Sequence, residues 1–115
     1  EIGVSRRQFP RADIIGKAVL KTPTNQFEVD LLNVSEGGFA VSMTSGVLPG
    51  QIFPIEIISP GLKEPVNAKV ECRFVTDGVA GFRFNQINVE HKSMIVQYVL
   101  NYLAQPANAQ NKNAA

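Results

Sequence analysis

The stretch VNAKVECRFVTDGVAGFRF, residues 66–84, decides the fold class of this 115-residue chain. Its first half alternates apolar and polar side chains, which is typical of a strand with one buried and one solvated face. The pair Asp77-Gly78 favours a tight hairpin turn, and the return strand alternates again with Phe82 and Phe84 on one side. The stretch therefore predicts an antiparallel β-hairpin that contributes one face to a core.

Four more strands with the same period are predicted outward from this hairpin. They cover residues 12–21, 27–34, 39–43 and 52–58. Turn residues separate them, and Pro54 indicates an edge or bulged position because proline donates no backbone hydrogen bond. Six short antiparallel strands predict a mainly β chain and a closed or nearly closed barrel, since closure removes edges that would pair with other chains.

The period becomes helical after Asn88, whose side chain suits the N-cap of a helix. The helix face expected to cover the barrel consists of Met94, Ile95, Tyr98, Val99 and Tyr102. Val96, Leu100 and Leu103 widen this apolar arc, so the helix is expected to meet another domain or a second copy of the chain as well.

One domain is expected over residues 1–104, because the length and the 44% hydrophobic content suffice for one core. Residues 1–11 are expected to form a flexible arm and residues 105–115 a disordered tail. Because the chain begins at Glu1 without methionine and ends in a polar stretch, we expect it to be an excised module of a longer protein, with an upstream domain or another protein as its partner. No apolar run reaches the length of a membrane helix and no signal peptide opens the chain, so a cytoplasmic domain without membrane insertion is expected.

Composition argues against several classes of function. The single cysteine, Cys72, and the single histidine, His91, cannot form a disulfide or a metal site, so no metal or cofactor is expected. A formal net charge of +1 argues against a nucleic-acid partner, which requires many neutralised phosphates. Cys72 is interpreted as a core residue and His91 as a helix residue without partners, and no carboxylate pair has catalytic spacing. The chain is therefore not expected to be an enzyme.

Two short motifs stand out against this scaffold. Arg7 and Arg11 form an RxxxR pair, preceded by Arg6, and residues 33–38 read NVSEGG, an NxSxxG pattern at a strand end. Taken singly, two arginines four residues apart are usually a solvated helical face, although Pro10 argues against a helix here. Asn, Ser and Gly at a strand end are ordinarily turn formers. Their joint occurrence favours a binding site.

This pair of motifs, followed by short strands and a C-terminal helix, resembles the PilZ domain family over residues 6 to about 103. The resemblance implies a six-stranded antiparallel barrel with a C-terminal α-helix that binds the bacterial second messenger cyclic di-GMP. It also implies which residues bind the ligand. The expected set is Arg6, Arg7, Arg11, Asn33, Ser35, Gly37 and Gly38, of which Arg6 and Gly37 lie beside the matched positions.

The chemistry of these side chains suits a small purine anion. A guanidinium pairs two-pronged with phosphate oxygens or with the O6 and N7 atoms of guanine, and its plane stacks on a purine. Asn33 and Ser35 are two residues apart, hence on one side of an extended chain, and the glycines permit close approach of the backbone. The resemblance leaves open a PilZ-like protein-interaction module that binds no nucleotide, and a homodimer. It also leaves open whether the output is motility or exopolysaccharide synthesis.

Overall fold

The computed structural model describes residues 10–43 and 45–105. Seven strands and one helix occupy these ranges. They are β1 Arg11–Asp13, β2 Lys17–Lys21, β3 Gln26–Ser35, β4 Gly38–Ser42, β5 Ile52–Ile58, β6 Val66–Thr76, β7 Val79–Ile87 and α1 Val89–Leu103. The predicted N-terminal arm, except for its last two residues, and the predicted tail beyond Gln105 lie outside the described residues.

Six of the strands close into a barrel. The hydrogen-bonded order is β3-β2-β5-β6-β7-β4, and a further pairing of β4 with β3 completes the ring, with every pair antiparallel. The short β1 pairs with the C-terminal end of β3 beside the ring. The predicted six-stranded antiparallel barrel with a C-terminal helix is thus confirmed, with one extra strand.

The extra strand arises because the single strand predicted over 12–21 is interrupted at Gly16. Both pieces pair with β3, β1 at residues 33–35 and β2 at residues 26–30. Gly16 has a φ of +155°, and a Cβ at this position would lie 2.2 Å from the carbonyl oxygen of Ile58. Only glycine tolerates this combination of backbone angle and close approach.

The core fills the barrel interior with the apolar faces predicted from the alternation. Its largest fully buried side chains include Leu20, Phe53, Ile55, Ile57 and Ile95. Aromatic contacts link β4, β7 and β5: the rings of Phe39 and Phe82, in neighbouring strands, are 5.2 Å apart, and those of Phe53 and Phe82 are 5.8 Å apart across the interior. Such pairs stabilise the packing beyond their buried area.

The structure agrees with the predicted hairpin turn at Asp77-Gly78 and with the predicted edge-like position of Pro54. Asp77 and Gly78 adopt φ angles of 54° and 80°, as the two central residues of a type I′ hairpin require. Pro54 pairs with Lys69 of β6, but β2 pairs with β5 only at residues 55–58. The missing backbone donor of Pro54 therefore falls where β5 has no second neighbour.

The helix begins as predicted at Asn88, whose side chain accepts a 2.7 Å hydrogen bond from the backbone N–H of His91. Ile95 and Val99 are buried against the barrel, whereas Leu100 is 53% exposed. The helix consequently uses one face for the core and leaves part of its apolar arc open. Within the described ranges, no helix combines the length and hydropathy needed to cross a membrane.

Candidate ligand-binding surface

The pairing of β1 with β3 brings the two sequence motifs together. Arg11 stands directly opposite Ser35, and Asp13 stands opposite Asn33. Residues directly opposite in an antiparallel pair place their side chains on the same face, with Cβ atoms about 5 Å apart. The buried pair between them, Ala12 and Val34, points into the core. Arg11, Asn33 and Ser35 therefore share the outer face of the barrel.

A β-bulge in β3 is what turns Asn33 and Ser35 outward. Leu31 pairs with Val41 and Asn33 with Ala40, so β3 carries one residue more than β4 between these pairs. The extra residue, Leu32, is 38% exposed although it is apolar. A bulge reverses the phase of the side chains that follow it.

Uninterrupted alternation would have had the opposite result. Phe27 and Val29 pack against the core, and Leu31 is buried within it. A strand with a strict period of two would have continued this series with Asn33 and Ser35 and buried two polar side chains. The change of phase is visible in the sequence, where Leu31 is followed by Leu32 and Val34, and the register identifies Leu32 as the extra residue.

The hydroxyl of Ser35 also organises the turn that follows. It accepts a hydrogen bond from the backbone N–H of Gly37 at 3.2 Å and lies 3.4 Å from the carbonyl oxygen of Gly38. Ser35 is 9% exposed and pairs with Gly38 across the hairpin. The side chain thus has the turn-forming role expected of serine at a strand end, at the border of the outer face.

The two glycines of this motif have partners within the fold. A Cβ on Gly38 would lie 2.0 Å from the carbonyl oxygen of Phe82, and the carbonyl oxygen of Gly37 accepts a 3.0 Å bond from Phe84 N–H. Neither glycine has a positive φ. Close approach of β7 to β4 therefore requires the absence of a side chain at Gly38, independently of any ligand.

The arginines are described only in part. Arg11 is exposed and is the first residue of β1, so it lies in a strand and not in the loop or arm expected for residues 1–11. Arg6 and Arg7 lie outside the described residues. The strand fixes the backbone of the second arginine of the motif beside β3.

The helix α1 contacts β1 and the turn between β3 and β4, next to the motif residues. The hydroxyl of Tyr98 donates to the backbone oxygen of Asp13 at 2.8 Å, and that of Tyr102 donates to the Asp13 carboxylate at 3.1 Å. Lys92 approaches Glu36 in the turn at 3.7 Å. The hydrogen bond to Asp13 raises the pKa of Tyr102, and burial raises the pKa of Tyr98.

The profile of the PilZ domain family matches residues 5–101. The chain belongs to the PilZ family. No curated protein sequence gives a significant match, whereas several solved structures of low sequence identity do.

Three of these structures share the fold of this PilZ domain. MotI, described as an inhibitor of motility from Bacillus subtilis, gives a TM-score of 0.73 at 20% identity, covering 84% of this chain and 50% of its own. YcgR from Escherichia coli, in complex with cyclic di-GMP, gives a TM-score of 0.72 at 14% identity; the match covers 96% of this chain and 51% of YcgR. The PilZ domain of CeSA from a cellulose-synthesising bacterium gives a TM-score of 0.57 at 17% identity; the match covers 79% of this chain and 95% of the CeSA domain. The chain thus spans about half the length of MotI and YcgR.

The remaining chemically interesting residues of this PilZ domain have structural roles. His91, expected to lack partners, accepts a 3.1 Å hydrogen bond from Asn67 N–H at Nδ1, and its Nε2 lies 3.2 Å from a carboxylate oxygen of Glu64. It therefore links the start of α1 to Asn67 in β6 and to Glu64 in the loop before β6. Cys72 is buried as predicted, and burial raises the pKa of its thiol. Across residues 10–43 and 45–105, no three His, Cys, Asp or Glu side chains are grouped as metal ligands.

Two residues near this surface could not be recognised from the sequence pattern. Arg83 alternates outward like an ordinary surface charge, but it stands directly opposite Gly38. Phe74 is expected on the buried face of β6, yet it is 41% exposed because the register shifts between Cys72 and Phe74. A second bulge, like that in β3, reverses the phase of a strand whose alternation looks regular.

Proposed function

We propose that this PilZ domain is a cyclic di-GMP receptor that binds the dinucleotide on the outer face of β1 and β3. The observation that carries the proposal is the register that sets Arg11 opposite Ser35 and Asp13 opposite Asn33. Two motifs more than twenty residues apart in sequence thereby meet on one exposed face. Membership of the family and the complex of YcgR with cyclic di-GMP give independent support.

Each side chain has a distinct part in this proposal. Arg7 and Arg11 bind the phosphates or the guanine edge through their forked donors, and their planes stack on the bases. Asn33 supplies an amide that hydrogen-bonds the guanine edge, next to the Ser35–Gly38 turn. Arg6 extends the site towards the far phosphate or a second stacked nucleotide. The exposed position of Arg11 at the start of β1 suits this arrangement.

The proposed mechanism is a rearrangement of the arm that precedes β1. Residues 6–10 fold across the bound ligand, while Arg11 stays in β1, and their movement changes how an upstream domain sits against the barrel. MotI and YcgR are about twice as long as this chain, which supports a further domain as the partner of this one. The output is motility or exopolysaccharide control, the first suggested by MotI and the second by the PilZ domain of CeSA.

Isothermal titration calorimetry with cyclic di-GMP tests the binding proposal. Loss of one charge-assisted hydrogen bond costs about 1.5–3 kcal/mol, so Arg7→Ala and Arg11→Ala should each weaken binding by about 10- to 100-fold. Lys21→Ala is the control, because Lys21 is an exposed cation at the far end of β2. Wild-type affinity in both arginine variants would remove them from the site. A stoichiometry that falls in Arg6→Ala would place a second nucleotide at Arg6.

Hydrogen exchange tests the arm separately. Ligand should increase the protection of residues 1–12 if the arm folds across it, while residues 52–58 in β5, on the far side of the barrel, should change little and serve as the internal control. Binding without added protection of the arm would exclude the rearrangement and leave the receptor function intact.

The exposed apolar part of α1 favours a second candidate, an interaction module that binds no nucleotide. Leu100 and Val89 are exposed on the helix, available to another domain or a second copy of the chain. Thermal melting separates the two candidates, since a ligand that binds only the folded state must raise the melting midpoint. An unchanged midpoint at saturating cyclic di-GMP would favour the interaction module.

A further inference from the structure

A continuous row of residues crosses the outer face of the barrel from the candidate site. The register pairs Arg11 with Ser35, Ser35 with Gly38, Gly38 with Arg83, and Arg83 with Glu71. Directly opposed residues share a face, so all five belong to the same outer side of the sheet. Arginine occupies the first and the fourth positions of this row.

The spacing of these two arginines suits a dinucleotide. Three steps between neighbouring strands separate Arg11 from Arg83, or about 14 Å along the sheet. Both side chains are long and exposed, so their guanidinium groups can approach one ligand from opposite sides. Ser35 and Gly38 lie between them.

The surface between the arginines carries only small side chains. Gly38 has none, and the 2.0 Å approach of the Phe82 carbonyl oxygen prevents one from being added. The neighbouring row pairs Asn33 with Ala40, Ala40 with Gly81 and Gly81 with Phe74. Gly38, Ala40 and Gly81 are themselves buried, so a flat ligand on the strip formed by these two rows would contact the longer side chains that flank it rather than the backbone of β4 and β7.

Polar and aromatic side chains flank this strip at both edges. Arg11 and Asn33 stand at one edge, and Arg83 and Phe74 stand at the other. The ring of Phe74 lies directly over Gly81, where a Cβ would come within 2.2 Å of it. Guanidinium and aromatic groups side by side are typical of surfaces that bind nucleotide bases.

Glu71 holds Arg83 in a defined position without cancelling the local charge. Arg83 donates a 2.8 Å hydrogen bond from Nη2 to Glu71, and Arg73 lies 3.7 Å from the same carboxylate oxygen. Two guanidinium groups share one carboxylate, which leaves a formal charge of +1. A guanidinium has five N–H donors, and the hydrogen bond to Glu71 uses one of them.

We propose that Arg83 is a further ligand-binding residue, which contacts the half of cyclic di-GMP that lies away from Arg11. The proposal rests on the function proposed above and extends that site from β1 and β3 across β4 to β7. Its chemistry is the same forked recognition of a phosphate or a guanine edge, supplied from the opposite edge of the strip.

Calorimetry on the whole chain with cyclic di-GMP tests whether Arg83 binds the ligand. Arg73→Ala is the matched control for Arg83→Ala. The two arginines share Glu71 as a partner, and their side chains are 52% and 56% exposed. Arg73 differs in being the extra residue of the bulge in β6, outside the row. Arg83→Ala should weaken binding about tenfold or more, whereas Arg73→Ala should stay within about threefold of wild type.

Two further measurements make the comparison decisive. Arg83→Lys keeps the charge and loses the fork, so it should bind with an affinity between those of wild type and Arg83→Ala. Equal melting midpoints of Arg83→Ala and Arg73→Ala without ligand would show that any difference in binding is local.

The outcomes separate this inference from the function on which it rests. Binding by wild type that is weakened by Arg11→Ala but unchanged by Arg83→Ala would overturn the inference alone. An absence of binding by the wild-type chain would overturn the proposed function, and this inference with it.

Discussion

Replacing Gly38 by alanine separates a structural requirement of the barrel from a requirement of the ligand. A Cβ at this position would lie 2.0 Å from the carbonyl oxygen of Phe82, whereas ordinary van der Waals contact begins at 3.4 Å. The obstructing atom is backbone in the neighbouring strand, so it cannot turn aside as a flexible side chain would. The register of Gly38 with Arg83 must therefore open by more than about 1 Å or break.

Overpacking in a well-packed interior costs about 1–3 kcal/mol, and a clash with backbone belongs at the upper end of that range. We expect Gly38→Ala to lower the free energy of unfolding by about 2–3 kcal/mol. For a domain of this size the melting midpoint should fall by roughly 10 °C. Urea unfolding followed by far-ultraviolet circular dichroism measures the change.

Gly50→Ala is the matched control. Gly50 has a φ of +93°, and a Cβ added to it would meet no atom within 4 Å, so the substitution adds backbone strain without a clash. It should cost about 1–2 kcal/mol, less than Gly38→Ala. Wild-type stability of Gly38→Ala, together with lost binding of cyclic di-GMP, would refute the structural role and assign this glycine to the ligand.

Three other predictions follow from the described contacts. Tyr98 and Tyr102 are the only tyrosines and the chain has no tryptophan, so absorbance at alkaline pH reports on these two phenol groups. The fold raises the pKa of both phenol groups, so their contribution to stability is complete below the unfolded pKa of about 10 and is lost as the pH rises through the folded values. Equal titration midpoints with and without urea would contradict the raised pKa values. Deleting Leu32 removes only the extra residue of the bulge, so Asn33 and Ser35 should still face outward and the deletion variant should fold, with a loss of about 1–3 kcal/mol in urea unfolding, while Leu32→Ala keeps the bulge and should cost under about 1 kcal/mol; a deletion variant that does not fold would contradict the assignment of Leu32 as the extra residue. Asn88→Ala should cost about 1 kcal/mol in thermal or urea unfolding through loss of the helix cap, and an unchanged midpoint would show that the cap is dispensable.

The elements that could be predicted from the sequence are those fixed by local chemistry. The hairpin at Asp77-Gly78 follows from the positive φ angles that these two residues tolerate, and the helix follows from a capping side chain at Asn88 and a change of period. The closed barrel follows from the number of strands and the cost of open edges. These inferences need no knowledge of which strands pair.

The elements that were not predicted depend on register. The bulge at Arg73 adds a single residue to a strand whose hydrophobic alternation looks regular, whereas the bulge at Leu32 coincides with a change of phase between Leu31 and Leu32 that the prediction passed over. They nevertheless decide that Asn33 faces outward and that Phe74 is exposed. The break at Gly16 has the same character, because it depends on the close approach of Ile58, which is distant in sequence.

The candidate site was predictable as a set of residues but not as a surface. The motif residues from Arg11 to Gly38 could be selected from the sequence, while their convergence required the pairing of β1 with β3. Arg83 could not be selected, because its neighbour across the sheet, Gly38, is visible only in the register of β4 with β7. An arginine that alternates outward on a strand is ordinarily a solvated charge.

The most direct test of the proposed binding surface is a titration of the isotopically labelled chain with cyclic di-GMP, followed by backbone amide shifts in NMR. We expect the largest changes on Arg11, Asn33 and Ser35, with Arg83 also shifted and the amides of β5 on the far side of the barrel unchanged. Changes confined to β5 and β6 away from that row, or to α1, would contradict the claim that the paired strands β1 and β3 form the binding surface.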